Sequence, residues 1–379
     1  MEQDLTTGSV FKRIVYFSLP YLLSYFLQTL YGMADLFITG QFYGVDTITA
    51  VSNGSQIMHM MTVIIVGLAM GTTVTIGHSV GAKCMEQAEK IIGNTITLFM
   101  GIACVMNIAL DYLFMGAFHM GAAGAALGTV CAQTFSVLVA LWVIRRRKTG
   151  ISLKKSDFKI ERAVIGQVLK IGIPVALQDG FIQVAFMIIT VIANSRGVSD
   201  AAAVGVVEKV ISALFIVPSS MLATVSALSA QNLGAGKEKR ATDTLHYATV
   251  ITTIYGMIVA VLIQFIAENV VGIFTSDTTV VTMGSAYIRS YIWDCIFAGI
   301  HFSFSGYFAA CGKSYIGFLH NIISITFVRV PGSYLASKYF TDTLYPMGLA
   351  APAGSLVSVA ICVTAFILLK RKSRVAQTA

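Results

Sequence analysis

Charge is scarce in this chain. Of its 379 residues only 12% are Asp, Glu, Lys or Arg, about half the share that a soluble domain carries. That excludes a water-soluble enzyme and a disordered protein, and with the charge placement set out below it argues against a nucleic-acid partner. No GxxxxGK[ST] segment occurs, so uphill work driven by ATP is excluded and an ion gradient is left. The six cysteines (Cys84, Cys104, Cys131, Cys295, Cys311, Cys362) include no CxxC pair; most lie in apolar runs, where cysteine packs as a small hydrophobe. The six histidines also lack metal-ligand spacing, and His59 and His78 read as packing or interfacial. No cleavable signal peptide is expected, because the first apolar stretch outruns a signal core of about 7–15 residues.

What is present is hydrophobic length. Apolar residues make up 56% of the chain and mean hydropathy is +0.78. A membrane helix needs about 20 mainly apolar residues, and the sequence predicts ten: 14–39, 47–76, 88–115, 121–144, 163–193, 201–229, 241–267, 279–308, 314–337 and 346–369. The fold class is therefore an all-α polytopic membrane protein. Pro20, Pro174, Pro218 and Pro331 fall within spans and predict kinks, since proline donates no backbone hydrogen bond. With a cytoplasmic N-terminus, twenty basic residues fall on inner segments against Arg196 and Lys338 outside. The positive-inside rule then places both termini in the cytoplasm. Topology and anionic membrane lipid account for the net charge of +8, with no nucleic acid required.

The chain also repeats itself. Residues 50–92 align without gaps on 203–245, so that Gly81-Ala82 matches Gly234-Ala235. One gap upstream, Leu19-Pro20 matches Ile173-Pro174, and near each end Met120-Gly121 matches Met347-Gly348. The shift grows from 153 residues early to 227 at the end. The first half is thus short by about 74 residues, or about two spans. The basic, polar linker TGISLKKSDFKIER divides the chain into lobes at 1–155 (four spans) and 156–379 (six spans).

An ionised carboxylate at the bilayer centre costs about 2.5–3.5 kcal/mol or more, so intramembrane acids point to function. Asp35 and Asp111 lie at similar depth near the outer ends of spans 1 and 3, with Thr129 at a comparable level. Two acids at one depth can share a cation or a proton. In the second half, Asp179 follows Pro174 and Asp294 lies in mid-span. Arg289, five residues from Asp294, is not on its face; a pair with Arg329 and a role as cation ligand both stay open. Glu208, beside Lys209, reads as interfacial. Met58, Met60, Met61 and Met70, with Phe297, Phe302, Phe304 and Phe308, are candidates for a greasy cavity, though most such residues face lipid or pack between helices.

The segments SLPYLLSYFLQTLYGMADLFITGQF, VGLAMGTTVTIGHSVGAK, NIALDYLFMGAFHMGAAGAALGT and ALSAQNLGAGKEKRA resemble the multidrug and toxic-compound extrusion (MATE) transporters, over nearly the whole chain. The resemblance implies two helical lobes related by a pseudo-two-fold axis in a V, here with four and six helices. It implies export of cationic or amphipathic compounds in exchange for sodium ions or protons, with no other cofactor. By resemblance Asp35 is the main coupling carboxylate, with Asn107, Asp111 and Thr129 as oxygen ligands. Gln28 and Tyr31 would face the substrate cavity and Pro20 would act as a hinge. Acids of the second lobe on the equivalent helices, Asp179 and Asp294, match more loosely. The sequence departs from the family where TITLFMGIACVMNIALDYLFM reads as the third helix joined to the fifth near Met100–Ala103, without the fourth. Three alternatives follow: an inactive remnant, a subunit whose shortened lobe a second copy fills, and a flippase of lipid-linked precursors. The last fits poorly with mainly acidic intramembrane residues.

Overall fold

The long apolar runs fold as helices because a bilayer offers the backbone no water, so amides and carbonyls must pair within their own segment. The computed structural model of the protein describes residues 5–42, 45–111, 154–275 and 277–378, and among them there is no strand. The helices are α1 (Val10–Phe42), α2 (Val45–Gly81), α3 (Met85–Asp111), α4 (Arg162–Asn194), α5 (Val198–Leu214), α6 (Ile216–Gly234) and α7 (Glu238–Gly272). There follow α8 (Thr278–Tyr291), α9 (Asp294–Ala310), α10 (Ser314–Ser324), a π-helical segment (Ile325–Arg329), α11 (Val330–Tyr339), α12 (Tyr345–Gly348) and α13 (Ala350–Thr378). Among the described residues five stretches are long and apolar enough to cross a membrane: Thr62–Gly81, Arg162–Asn194, Val198–Gly234, Glu238–Gly272 and Tyr345–Arg371.

Four predicted spans are interrupted, the one at 346–369 by a single turn residue, Leu349. The span at 201–229 breaks at Phe215, because Pro218 gives no N–H to the carbonyl four residues back, that of Leu214. The Tyr255 hydroxyl donates to this freed carbonyl at 2.9 Å. The span at 314–337 widens at Ile325 into the π segment, which ends directly before Val330-Pro331, and the span at 279–308 divides at Ile292-Trp293. Pro20 and Pro174 instead lie inside continuous helices; the Lys170 carbonyl, four residues before Pro174, accepts the Ser314 hydroxyl at 3.4 Å. Helix α3 runs unbroken through Met100–Ala103, while the predicted span at 121–144 lies outside the described residues.

The second half packs α4, α5, α7 and α8 around Ile189, Val207, Ile211, Ile263, Tyr287 and Ile288. Helix α2 of the first half lies against this body, in contact with α4 and α6, and buries Met70 and Val74 against Ile171, Val175 and Ala230. The approach is backbone on backbone. A Cβ on Gly71 would lie 2.1 Å from the Val168 carbonyl oxygen, and one on Gly172 would lie 2.6 Å from that of Leu68. At the α2–α6 crossing the contacts are reciprocal: a Cβ on Gly81 would meet the Gln231 oxygen at 2.0 Å, and one on Gly234 would meet the His78 oxygen at 2.2 Å. His78 and Gln231, like Gly81 and Gly234, are mates under the repeat shift of 153 residues. A third pair of mates, Gly77 and Ala230, meets at the crossing itself, with Cβ positions 2.9 Å apart. Reciprocal contact between equivalent residues is what a two-fold relation produces.

Polar ties close the same end. His78 Nε2 donates to the Ala310 carbonyl at 2.7 Å. Lys237 Nζ donates to the Thr6 carbonyl at 2.9 Å, and Arg240 donates to the carbonyls of Gly8 and Thr7 at 2.7 and 2.8 Å.

Replacing Gly81 with valine should therefore push α2 off α6. Overpacking of this kind costs about 1–3 kcal/mol, seen as a lower midpoint of thermal unfolding in detergent. Gly205→Ala, where nothing lies within 4 Å of the added carbon, should leave the midpoint unchanged or slightly higher.

Candidate functional site

The first candidate site lies between the two halves. Asp179 sits five residues after Pro174 on α4, and Tyr25 sits five residues after Pro20 on α1. The two are repeat mates by the proline match, and they lie within electrostatic reach of one another, with Tyr21 also near Tyr25. Tyr21 packs on Phe17, ring centroids 5.8 Å apart. Helix α4 also borders an apolar groove of about 350 Å³, whose walls include Met60, Ile64 and Leu68 of α2 and Ile173, Leu177 and Phe181 of α4. An acid and phenol rings near an apolar wall suit a ligand with one positive charge and a greasy body. Of the other greasy candidates, Met70, Phe304 and Phe308 are core residues.

A second cluster lies inside the second half. The break at Ile292-Trp293 puts Asp294 in the first turn of α9, where free amides and the helix dipole favour negative charge. Asp294 is 1% exposed. Its partner is Arg329, at the end of the π segment, with Nη1 4.0 Å from Oδ2. Of the two readings the sequence leaves open, the ion pair is the one formed. Ser355 of α13 lies beside Asp294, yet neither carboxylate oxygen closes a hydrogen bond of normal geometry. Arg329 Nη2 donates to the Tyr291 hydroxyl. The guanidinium carbon lies 5.0 Å from the Phe186 ring centroid and 5.4 Å from that of Tyr291, within cation–π range. Arg289 turns elsewhere, to Glu268 at 3.2 Å. Glu208 is half-buried, accepts from the Thr190 hydroxyl at 3.3 Å on each oxygen, and lies within electrostatic reach of Arg329.

A third group surrounds a pair of buried imidazoles that sequence reasoning did not single out. His301 of α9 and His320 of α10 have ring centroids 5.3 Å apart. Ser305 Oγ and His320 Nε2 are hydrogen-bonded at 2.9 Å. The Nδ1 atoms of both rings, Gln178 Nε2 and Asn321 Nδ2 have no partner among the described residues. The available signal was two histidines in otherwise apolar runs, HFSFSGYF and GFLHNIIS, where a polar ring must find a buried partner or a function.

The side chains of Gln28, Tyr31 and Asp35 on α1, and of Asn107 and Asp111 on α3, lie outside the described residues, as does Thr129 altogether. The structure puts Asp179 within electrostatic reach of Tyr25, and pairs Asp294 with Arg329.

Loss of the Ser305 hydroxyl should be felt through His320, whose ring would lose its bond at Nε2. Leaving a buried polar group unpaired costs about 1–3 kcal/mol. Ser305→Ala should lower the thermal midpoint in detergent, whereas Ser212→Ala, at an exposed position, should not.

Comparison with known proteins fits this architecture. The MatE family profile matches residues 20–115 and 174–335. The chain is 21% identical to YoeA of Bacillus subtilis (strain 168), described as a probable multidrug resistance protein, across 94% of this chain and 93% of the relative. It is 24% identical to YpnP of the same organism, described in the same words, across 91% and 93%. The YoeA alignment spans 432 residues, more than the 379 of this chain, so it includes residues of that relative with no counterpart here. Among solved structures, the outward-facing conformation of a multidrug resistance MATE family transporter of the MOP superfamily superposes with a TM-score of 0.84, over 100% of this chain and 99% of that one, at 17% identity. At that identity the likeness speaks for the fold. The family match covers well over half of the chain, and the protein belongs to the MatE family as an all-α polytopic membrane protein.

Proposed function

We propose that this protein is an efflux transporter that moves cationic or amphipathic drugs and toxic compounds out across the cytoplasmic membrane, in exchange for sodium ions or protons. It belongs to a family of transporters and is not an enzyme. The export reading draws on the relatives described as multidrug resistance proteins. The observation that carries it is that Asp179 of the second half lies within electrostatic reach of Tyr25 of the first, beside an apolar groove between α2 and α4. In this reading Asp179 takes the positive charge of the substrate, while Gln28, Tyr31 and the apolar groove take its body.

Coupling is assigned by resemblance to Asp35, with Asn107, Asp111 and Thr129 as oxygen ligands in the lobe of residues 1–155. Pro20 is the hinge through which α1 responds. An ion drives export if it favours one conformation and the substrate the other, because only differential affinity shifts a conformational equilibrium. The basic end of the bundle, with residues 5–8 tied to Lys237 and Arg240, is then the cytoplasmic end, and both termini lie there. The shortened first half favours a second reading, a chain that works as a homodimer with one copy covering the other's short lobe.

Ethidium efflux from a pump-deficient bacterial strain tests the proposal. The wild-type chain should lower ethidium retention. At matched expression, Asp35→Asn should abolish that effect and Asp179→Asn should cut it several-fold. A well-expressed, membrane-inserted wild type that leaves retention of ethidium and other cationic dyes unchanged would overturn it.

A further inference from the structure

The cluster around Arg329 has the composition of a cation site. Two acids, Asp294 and Glu208, lie within electrostatic reach of one guanidinium. The faces of Phe186 and Tyr291 flank that guanidinium at 5.0 and 5.4 Å. Carboxylates combined with aromatic faces are the chemistry that recognises a cation with little water around it. The occupant here belongs to the chain.

Its hold is loose. The nearest approach to Asp294 is 4.0 Å, where a bidentate arginine–carboxylate fork would place nitrogens at about 2.7–2.9 Å. Arg329 Nε and both oxygens of Asp294 are without hydrogen bonds of normal geometry, although Asp294 is 1% exposed. The backbone is also specialised, since Arg329 closes the five-residue π segment that precedes Pro331. Single π turns are rare and recur at functional sites. An arginine serving only to neutralise a structural acid would be expected to fork onto it; this one is placed between two rings and shared among two acids.

We propose that Arg329 is a tethered cation: its guanidinium fills a monovalent-cation site formed by Asp294, Glu208, Phe186 and Tyr291, and thereby keeps free cations out of the second half. The proposal goes beyond the export reading and does not depend on it. Its test is binding to the purified chain, whatever the chain transports. Exchange of a free ion is then confined to the first half.

The experiment is thermal unfolding of the full chain in detergent, in 10 mM (roughly) sodium chloride or guanidinium chloride against choline chloride at constant ionic strength, with shifts read by ligand linkage. In wild type neither ion should produce a shift that Asp294→Asn removes. Arg329→Ala, which vacates the site, should unfold earlier in choline and recover by about 2–4 °C with guanidinium or sodium. The recovery should vanish in the Asp294→Asn/Arg329→Ala double variant. Should Arg329→Ala not fold, Arg329→Gln, which keeps most of the volume, takes its place with sodium as the probe. Two results would overturn the proposal. One is a sodium shift in wild type that Asp294→Asn removes, meaning that the site is open. The other is a folded Arg329 variant that responds to neither ion, meaning that no cation site is present.

Discussion

The structure depends on one steric constraint: helix α2 must lie with its backbone directly on the backbones of α4 and α6. No side chain separates them at Gly71, Gly81, Gly172 or Gly234, where an added carbon would fall 2.0–2.6 Å from an opposing carbonyl oxygen. In a membrane, lipid tails are as apolar as leucine, so association gains little from hydrophobic burial. It comes from close packing, for which small residues are needed. At the end of this seam lie the short connection between α6 and α7, the bond from His78 to Ala310 and the clasp on residues 5–8.

A second constraint shapes the interior. A bilayer leaves no solvent for stray polar groups, and where a proline removes a backbone donor the chain supplies its own partners. The Leu214 carbonyl freed by Pro218 receives Tyr255, and the Lys170 carbonyl below Pro174 receives Ser314. The break before Asp294 differs, because there the carboxylate is left facing a loosely held guanidinium. A polar group whose partner is supplied by the fold, such as His78 through Nε2, reads as structure. Among the described residues the incompletely satisfied ones form two groups, one around Asp294, Arg329 and the two histidines and one along α6 at Thr224, Ser226, Gln231 and Asn232.

Much of this was legible in the sequence, and the reason is physical. Apolar length and charge asymmetry dictate spans and class. The repeat shift of 153 residues identified the glycine pair that meets at the seam, Gly81 and Gly234. Acids in apolar runs marked Asp179 and Asp294. The breaks were legible in part: Pro218 and Pro331 announced two of them, but the one at Ile292-Trp293 has no proline to mark it. Arg329 was one of two options for Asp294, since a pairing between residues 35 positions apart depends on helix packing, which no local spacing encodes. Tyr25 carried no signal of its own, because a tyrosine in an apolar helix usually packs; its position opposite Asp179 gives it significance. The same holds for His301 and His320, whose meaning lies in their proximity.

The central claim is that the two halves meet through equivalent residues at one crossing, with Gly77 and Ala230 on it. Disulfide trapping tests this most directly. Cysteines placed at these two positions, in a chain whose six native cysteines are replaced, would have Cβ atoms near the span of about 3.5–4.5 Å that a disulfide accepts once the seam relaxes slightly. Mild oxidation in native membranes should produce a bond within one chain, reversible by reductant and absent from either single variant. Free thiols at both positions in the folded, membrane-inserted double variant, or links formed solely between chains, would contradict the account.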